Sequence, residues 1–411
     1  MLNKKNIEKI VGVLFFCMIF ICCSTGSGLN KSFERQSITA SSGNILYVGG
    51  IGPGNYTSIQ DAVGNASSGD TVFVFSNASS YHENVVINKS IFLIGEDKNL
   101  VIIDAGSYDA AVTIIADDVF ISGFKMICFH DNPNQFDSEL IDILSVKNVT
   151  IRDNIIQQNK IYVGSDRGGV ILRNSSYCFI QNNTIIKEDD TRPCWGVVLM
   201  LGSAFINISG NEINLYTGGI LVRECSNNII YMNYLHHNYE GIKTVFGNNN
   251  TIIKNIINFN DQGIRIEDGY NNIISQNTIT DNGEGDDVDD GIGIIGGSEN
   301  YISYNHISNN NPCGIRLITF EPSYITYNNI TLNNIGVYCD HAYNNVISNN
   351  NLLFNKKNGY FEGVATILYR NIWKGNYWNR PRFMPYPIFG KGLFLPLVNF
   401  DWHPAKEPYD I

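Results

Sequence analysis

The sequence predicts an all-β protein built as a right-handed, single-stranded parallel β-helix, with three short strands in each coil of about 22 residues. Two sequence landmarks recur in one register, and the units between them hold short runs with a period of two residues. Runs of three to five residues suit strands and are too short for helices. No unit has the ten or more consecutive helix-forming residues that a helical repeat needs.

The two landmarks are a glycine followed by apolar, variable and apolar residues, and an asparagine three residues after an apolar strand residue. The glycines are Gly169, Gly196, Gly219, Gly241, Gly263, Gly291, Gly314 and Gly336, at spacings of 27, 23, 22, 22, 28, 23 and 22 residues. The asparagines are Asn154, Asn183, Asn211, Asn233, Asn255, Asn277, Asn305, Asn328 and Asn350. Equivalent residues should therefore stack about 4.8 Å apart along one axis, with isoleucines inside and the asparagines as an inward amide ladder.

The open ends of such a stack must be capped. Residues 47–70 are the predicted N-terminal cap, because residues 56–63 (YTSIQDAV) have the pattern of a short amphipathic helix with Thr57 or Ser58 as its N-cap. Residues 71–362 form the predicted β-helix. Residues 363–411 break the repeat and are rich in aromatic residues and proline, which predicts an irregular C-terminal cap.

The N-terminus predicts export. Residues 1–26 combine three lysines, an apolar stretch and a small-residue exit, as in a secretory signal peptide, and residues 27–46 form a Ser/Gly-rich linker. No second long apolar run follows, so no stable membrane span is expected in the mature chain. The expected location is extracellular or cell-surface, or periplasmic in a Gram-negative host. Most of the six later cysteines are interpreted as buried apolar residues.

The overall composition excludes some classes of protein. The chain has 411 residues, 44% of them hydrophobic and 16% charged, which excludes a disordered protein. The net charge of −11 argues against nucleic acid as the main partner, because nucleic-acid binding needs a basic surface.

The spacing of the Gly-Ile-x-Val and Asn-x-Ile motifs over residues 100–360 resembles that of parallel β-helix repeat (PbH1) proteins, and more narrowly the NosD-like group. This group is also described as carbohydrate-binding and sugar-hydrolase (CASH) domains. The resemblance implies the β-helix fold. For activity it implies several alternatives, since the superfamily includes lyases, hydrolases, epimerases, adhesins and an accessory factor of copper-enzyme maturation.

The variable positions of each glycine-led strand are expected to point outwards. Basic residues collect there in the middle of one face, at Arg223, Lys243, Arg265 and Arg316. Such a row suits a carboxylated or sulfated glycan, because arginine offers bidentate hydrogen bonds. These four residues and Glu267 are the predicted substrate-binding residues. The alternative is a solvated face on which Glu267 neutralises Arg265.

Two longer units place their additional residues just before the glycine-led strand, at 187–195 and 281–290, where they are expected to wall a groove. The second insertion (DNGEGDDVDD) carries six carboxylates, and oxygen ligands on a glycine-containing loop suit Ca²⁺. A solvated acidic loop is the alternative. The candidate calcium ligands are Asp286, Asp287, Asp289 and Asp290.

Two catalytic mechanisms are compatible with these residues. In a polysaccharide lyase a cation would acidify a uronate C5 proton, and Arg265, Lys243 or Arg316 would remove it. In a glycoside hydrolase Asp289 and Asp290 would supply acid and base, and the segment Asp-Asp-Gly-Ile-Gly-Ile is similar to one in polygalacturonases. The sequence leaves open whether the protein is an enzyme.

Three functions therefore follow from the sequence. The first is binding, with or without processing, of an acidic polysaccharide or cell-surface glycan along one face. The second is a non-catalytic structural or adhesive surface protein. The third is a NosD-like role in copper-enzyme maturation, which has little support from the seven histidines, because they show no metal-ligand spacing and the adjacent His236 and His237 should face opposite sides of a strand.

Overall fold

The chain winds into three parallel sheets that together form a right-handed parallel β-helix with one α-helix near its N-terminus, as the sequence predicts. All strand pairs are parallel except the last pair of the second sheet. The structure is a computed structural model. It describes residues 43–411 except 107–109, 130–138, 160–167, 189–193, 284–289, 320, 364–369 and 393–395.

Each sheet collects one strand from every coil. Sheet 1 has 14 strands, Ile45–Val48, Thr71–Val74, Phe92–Gly95, Phe120–Ser122, Thr150–Arg152, Phe179–Gln181, Asn207–Ser209, Ile229–Tyr231, Thr251–Ile253, Ile273–Ser275, Tyr301–Ser303, Tyr324–Thr326, Val346–Ser348 and Ile372–Lys374. Sheet 2 has 14 strands, Val85–Ile87, Val112–Ile114, Ile141–Leu144, Gly168–Arg173, Trp195–Met200, Gly218–Arg223, Glu240–Val245, Gln262–Glu267, Asp290–Ile295, Cys313–Ile318, Ile335–Asp340, Lys357–Glu362, Tyr386–Lys391 and Pro396–Asp401. Sheet 3 has 13 strands, Tyr81–His82, Ile102–Asp104, Lys125–Phe129, Ile155–Asn159, Thr184–Lys187, Glu212–Asn214, Tyr234–His236, Ile256–Asn258, Thr278–Thr280, His306–Ser308, Asn329–Thr331, Asn351–Leu353 and Tyr377–Trp378.

The inward isoleucines of sheet 2 stack in the predicted register. Ile220, Ile242, Ile264, Ile292 and Ile315 are successive strand partners, and all five are fully buried. Burial of each such side chain contributes about 1.5–3 kcal/mol. The landmark glycines make this stacking possible: a Cβ on Gly263 would lie 2.4 Å from the carbonyl oxygen of Gly291. A larger residue at these positions would therefore push successive coils apart.

The asparagine landmark forms the predicted inward amide ladder. In a typical rung, Asn233 Nδ2 donates to Asn255 Oδ1 at 3.0 Å and to the Ile208 carbonyl at 2.8 Å. The backbone N–H of Asn233 donates to the same Oδ1 at 2.9 Å. Each amide thus satisfies buried polar groups of the rungs on either side, which removes the cost of burying them.

Two further ladders lie at other bends of the coil, where the sequence analysis did not place them. One precedes sheet 2 and consists of Asn238, Asn260, Asn282, Asn310, Asn333 and Asn355. The other precedes sheet 1 and contains Asn228, Asn250, Asn272 and Asn300. Many of the asparagines in this chain therefore have a structural role inside the coil.

The predicted N-terminal helix is confirmed as α1, Ile59–Asn65, which buries Ile59, Ala62 and Val63. Ser58 is its N-cap, and its side chain accepts from the Asp61 N–H at 3.2 Å. Strand Ile45–Val48 already pairs with Thr71–Val74, so sheet 1 begins before the predicted first coil.

The C-terminal region is more regular than the irregular cap predicted for residues 363–411. Ile372–Lys374 and Tyr377–Trp378 continue sheets 1 and 3 for another rung. Tyr386–Lys391 and Pro396–Asp401 then form an antiparallel hairpin at the end of sheet 2. All six cysteines beyond residue 43 are buried, in agreement with the apolar role predicted for most of them. Apart from the gaps given above, residues 43–411 contain no helix with the length and apolar character that a membrane crossing requires.

Candidate functional site

The described side chains that were predicted to bind or process a substrate lie on the outer face of sheet 2. Lys243 and Arg265 are strand partners, as predicted, and the same outward row continues through Gly293, Arg316 and Tyr338. We call six rungs of this face, from strand Glu240–Val245 to strand Lys357–Glu362, the polar tract; it is about 24 Å long at the usual strand spacing. Its polar and charged side chains are Glu240, Lys243, Gln262, Arg265, Glu267, Asp290, Arg316, Tyr338, Asp340, Lys357, Tyr360 and Glu362.

Next to the polar tract, on its N-terminal side, the same face carries an apolar cluster. Ile171, Val198 and Leu221 point outwards as predicted, yet they are fully buried in a second apolar cluster with Trp195. The indole of Trp195 lies over Gly218, where a Cβ would meet the ring at 2.1 Å. This cluster separates the polar tract from a second polar group on sheet 2, nearer the N-terminus, where Arg173 contacts Glu139 and Asp142.

In the first two rungs of the polar tract, every cation is paired with a carboxylate. Lys243 Nζ lies 3.1 Å from Glu240 Oε1 and 3.5 Å from Glu267 Oε1. Arg265 Nε lies 2.5 Å from Glu267 Oε1, and its NH1 donates to Gln262 Oε1 at 3.3 Å. The predicted basic row therefore exists, but its charges are balanced by neighbouring acids, which is the alternative that the sequence left open.

Arg316 and Asp290 form a buried ion pair in the middle of the tract. Arg316 Nε lies 2.9 Å from Asp290 Oδ2, and their side chains are 10% and 2% exposed. Burial is the largest single influence and would lower the pKa of Arg316, but Asp290, Cys313 and Asp340 together outweigh it and the pKa is raised. The neighbouring Cys313 is fully buried, and burial, together with Asp290, raises the pKa of its thiol. This cysteine is therefore held as a neutral thiol.

Gly293 has no side chain between Arg265 and Arg316, its strand partners in the outward row, and its backbone is buried there. We call this place the notch. A Cβ at Gly293 would meet only Gln262 Nε2 at 3.0 Å and Asp290 Oδ2 at 3.9 Å, both at the ends of side chains. The fold therefore does not require glycine here, in contrast to the landmark glycine Gly291, whose Cβ would lie 2.7 Å from a backbone oxygen. A glycine inside a strand is typical of a place where another group approaches the backbone closely.

The C-terminal end of the tract combines aromatic rings with carboxylates, a combination that the sequence analysis did not single out. Tyr338 and Tyr360 are strand partners with ring centroids 5.5 Å apart. Asp340 and Glu362 are partners in the next outward row. Burial raises the pKa of Tyr338, and Asp340 and Glu362 act in the same direction. The same outward rows that located the basic residues also contain these tyrosines and carboxylates, so the sequence could have indicated them.

The remaining predicted site residues divide into two groups. Arg223 is the strand partner of Val245 at the N-terminal edge of the tract. Asp286, Asp287 and Asp289 lie outside the described residues, so their calcium and catalytic roles remain predictions. Asp290 is described, and its carboxylate contacts Arg316.

On the outside of sheet 3, His236 and His237 contact each other, contrary to the expectation that they face opposite sides. His237 follows the strand with a left-handed φ of 53°, which brings its Nδ1 within 2.7 Å of His236 Nδ1. His236 Nε2 lies 3.4 Å from Glu212 Oε1. Burial lowers the pKa of His236, with His237 acting in the same direction and Glu212 opposing. The strand rule failed because it does not hold where the backbone turns.

Several solved structures share this fold. The chain is similar to the Dettilon tailspike protein, with 15% identity and a TM-score of 0.54 over 84% of this chain and 74% of that one. DFA-IIIase from Arthrobacter chlorophenolicus A6, solved without its lid in complex with GF2, matches with 13% identity and a TM-score of 0.57 over 74% and 94%. PfbA, a surface adhesin of Streptococcus pneumoniae, matches with 12% identity and a TM-score of 0.51 over 88% and 100%. At these identities the similarity establishes the fold alone.

Sequence comparison identifies the family. No curated protein sequence shows significant similarity to the chain. The family model described as "Periplasmic copper-binding protein (NosD)" matches residues 63–243 and 196–383, which together span most of the chain. The matched segments contain part of α1 and nearly all strands of the three sheets. The chain therefore belongs to the NosD family.

Proposed function

We propose that this protein is exported and binds a polysaccharide along the polar tract of sheet 2. The observation that carries the proposal is the notch at Gly293, a missing side chain that the fold does not require, in the centre of a row of hydrogen-bonding groups. The tract offers donors and acceptors together, as sugar hydroxyls need. The Gln262 Nε2 group and the Arg265 guanidinium are donors, the carboxylates of Asp290 and Glu267 are acceptors, and the tyrosines at one end add amphipathic surface.

Substitution of Gly293 by leucine should weaken polysaccharide binding by about tenfold or more, because the new side chain fills the notch. The fold should tolerate it, since the Cβ meets only the ends of two flexible side chains. Binding is measured by affinity electrophoresis in gels that contain the soluble polysaccharide retained best by the unchanged protein. The control is Gly64→Leu on α1, where a Cβ meets nothing within 4 Å. Equal binding by both variants would contradict a site at the notch.

Whether the tract also processes its ligand depends on which group can transfer protons. The raised pKa of Arg316 opposes its predicted role as a lyase base, because a base must first be deprotonated. Lys243 and Arg265 remain candidates for that role, and Asp289 with Asp290 remain candidates for hydrolysis. Incubation with uronate polymers separates the mechanisms: ultraviolet absorbance indicates elimination, and new reducing ends without absorbance indicate hydrolysis. Binding with neither signal would define a recognition protein, and no binding would favour the structural or adhesive role.

Calcium binding by the acidic insertion stays a separate proposal. If Asp286, Asp287 and Asp289 share a cation, millimolar Ca²⁺ should raise the melting temperature by linkage. The double variant Asp287→Ala/Asp289→Ala should lose that rise. A melting curve indifferent to both Ca²⁺ and EDTA would show that the insertion is only solvated.

The family description names copper, and the described residues do not fit a copper centre. Across the described ranges, no group of three or more histidine, cysteine, aspartate and glutamate residues has the geometry to hold a metal ion. His237 and Glu212 contact opposite ring nitrogens of His236, so these three residues do not converge on one point. The cysteines, which have soft sulfur ligands, are buried. We therefore propose no step that uses copper.

A further inference from the structure

The charges of the polar tract indicate which class of polysaccharide it accepts. We infer that the ligand is an uncharged polysaccharide, an inference that rests on the proposed function. The basic row in the sequence predicted an acidic polymer, but the structure places an acid beside Lys243, Arg265 and Arg316. The six rungs of the tract carry more carboxylates than cations. The four cations are Lys243, Arg265, Arg316 and Lys357, and the five carboxylates are Glu240, Glu267, Asp290, Asp340 and Glu362.

The ion pairs leave little positive charge for a polyanion. The single carboxylate of Glu267 lies within 3.5 Å of both Lys243 and Arg265, and the carboxylate of Asp290 contacts Arg316. All these side chains are at most 24% exposed, so their attraction is screened less than that of a surface pair. A carboxylated polymer would have to displace an acid and leave it without its partner, which is unfavourable in a partly buried site.

The notch itself is suited to a hydroxyl group. The groups nearest to an added Cβ at Gly293 are an amide nitrogen of Gln262, which donates, and a carboxylate oxygen of Asp290, which accepts. A hydroxyl can accept from the first and donate to the second. A uronate carboxylate or a sulfate has no hydrogen to donate to Asp290, so it could not make the second of these contacts.

Matched polymers that differ only in charge test this inference. The probes are polygalacturonate with its fully methyl-esterified form, and carboxymethyl cellulose with hydroxyethyl cellulose, each in affinity electrophoresis. We expect the uncharged member of the better-bound pair to bind about tenfold or more tightly, with little change between ~50 and ~500 mM salt. Tighter binding of the acidic member, weakened by salt, would overturn the inference and leave the proposed function standing. Binding of none of the four probes, nor of a panel of neutral glucans, mannans and galactans, would overturn both.

A single variant probes the mechanism of this selectivity. Glu267→Gln removes the carboxylate that contacts both Lys243 and Arg265, so the preference for the uncharged polymer over its acidic partner should fall severalfold. The matched control is Glu212→Gln on sheet 3, where the carboxylate lies 3.4 Å from His236. The control should leave the preference unchanged. An unchanged preference in Glu267→Gln would show that charge pairing does not select the ligand.

Discussion

Replacement of Ile264 by aspartate is expected to lower the free energy of unfolding by about 4 kcal/mol, among the largest effects of any single change in the β-helix. Ile264 is fully buried, with Ile242 and Ile292 as its strand partners above and below. The aspartate would lose the apolar contacts and bury a carboxylate for which the isoleucine row offers no hydrogen-bond donor. Urea unfolding followed by circular dichroism measures the loss.

The control makes the same chemical change on the outside of the coil. Ile273 is the outward residue of its strand in sheet 1 and is 42% exposed. Ile273→Asp should therefore cost less than about 1 kcal/mol, because the carboxylate stays in water. Similar losses in the two variants would contradict the inward and outward assignment on which the polar tract depends.

The inward register was predictable because it depends on a strict local rule. Side chains alternate across a strand, and a glycine-led repeat fixes which of them face inwards, so Ile264 and the Asn233 ladder could be placed from spacing alone. The same rule placed Lys243 and Arg265 on adjacent rungs. It failed at His237, where a left-handed backbone ends the alternation.

Features that depend on neighbours from other rungs could not be predicted. Glu240 precedes the glycine of its strand and was not recognised as an outward residue, so its pairing with Lys243 was missed. Trp195 closes the apolar end of the face only because Gly218 in the next coil leaves room for its ring. Spacing places Gly293 in the outward row, but only the contacts of an added Cβ show that the fold does not require glycine there, in contrast to Gly291.

The first asparagine ladder ends at a carboxylate, which the sequence analysis did not predict either. The last asparagine, Asn376, donates its backbone N–H to Asp401 Oδ2 at 2.9 Å and its side-chain Nδ2 to the same oxygen at 3.2 Å. Trp378 Nε1 donates to that oxygen at 3.0 Å, and the Gly375 N–H donates to Oδ1 at 3.1 Å. Asp401 is fully buried and thus occupies the place of the next asparagine.

Asp401→Ala should therefore destabilise the C-terminal end of the β-helix by about 3–5 kcal/mol, because it leaves the buried donors of Asn376 and Trp378 without an acceptor. In a stack whose coils contact mainly their neighbours, the damage should be local. Hydrogen exchange is expected to accelerate at the amides of residues 371–378 and to stay slow in the rungs around Ile264. The control is Asp410→Ala, the same change at an exposed aspartate, which should alter neither urea unfolding nor exchange. Equal stability of the two variants would show that the ladder needs no acceptor at its end. Uniform acceleration of hydrogen exchange along the chain would show that the whole β-helix unfolds as one cooperative unit.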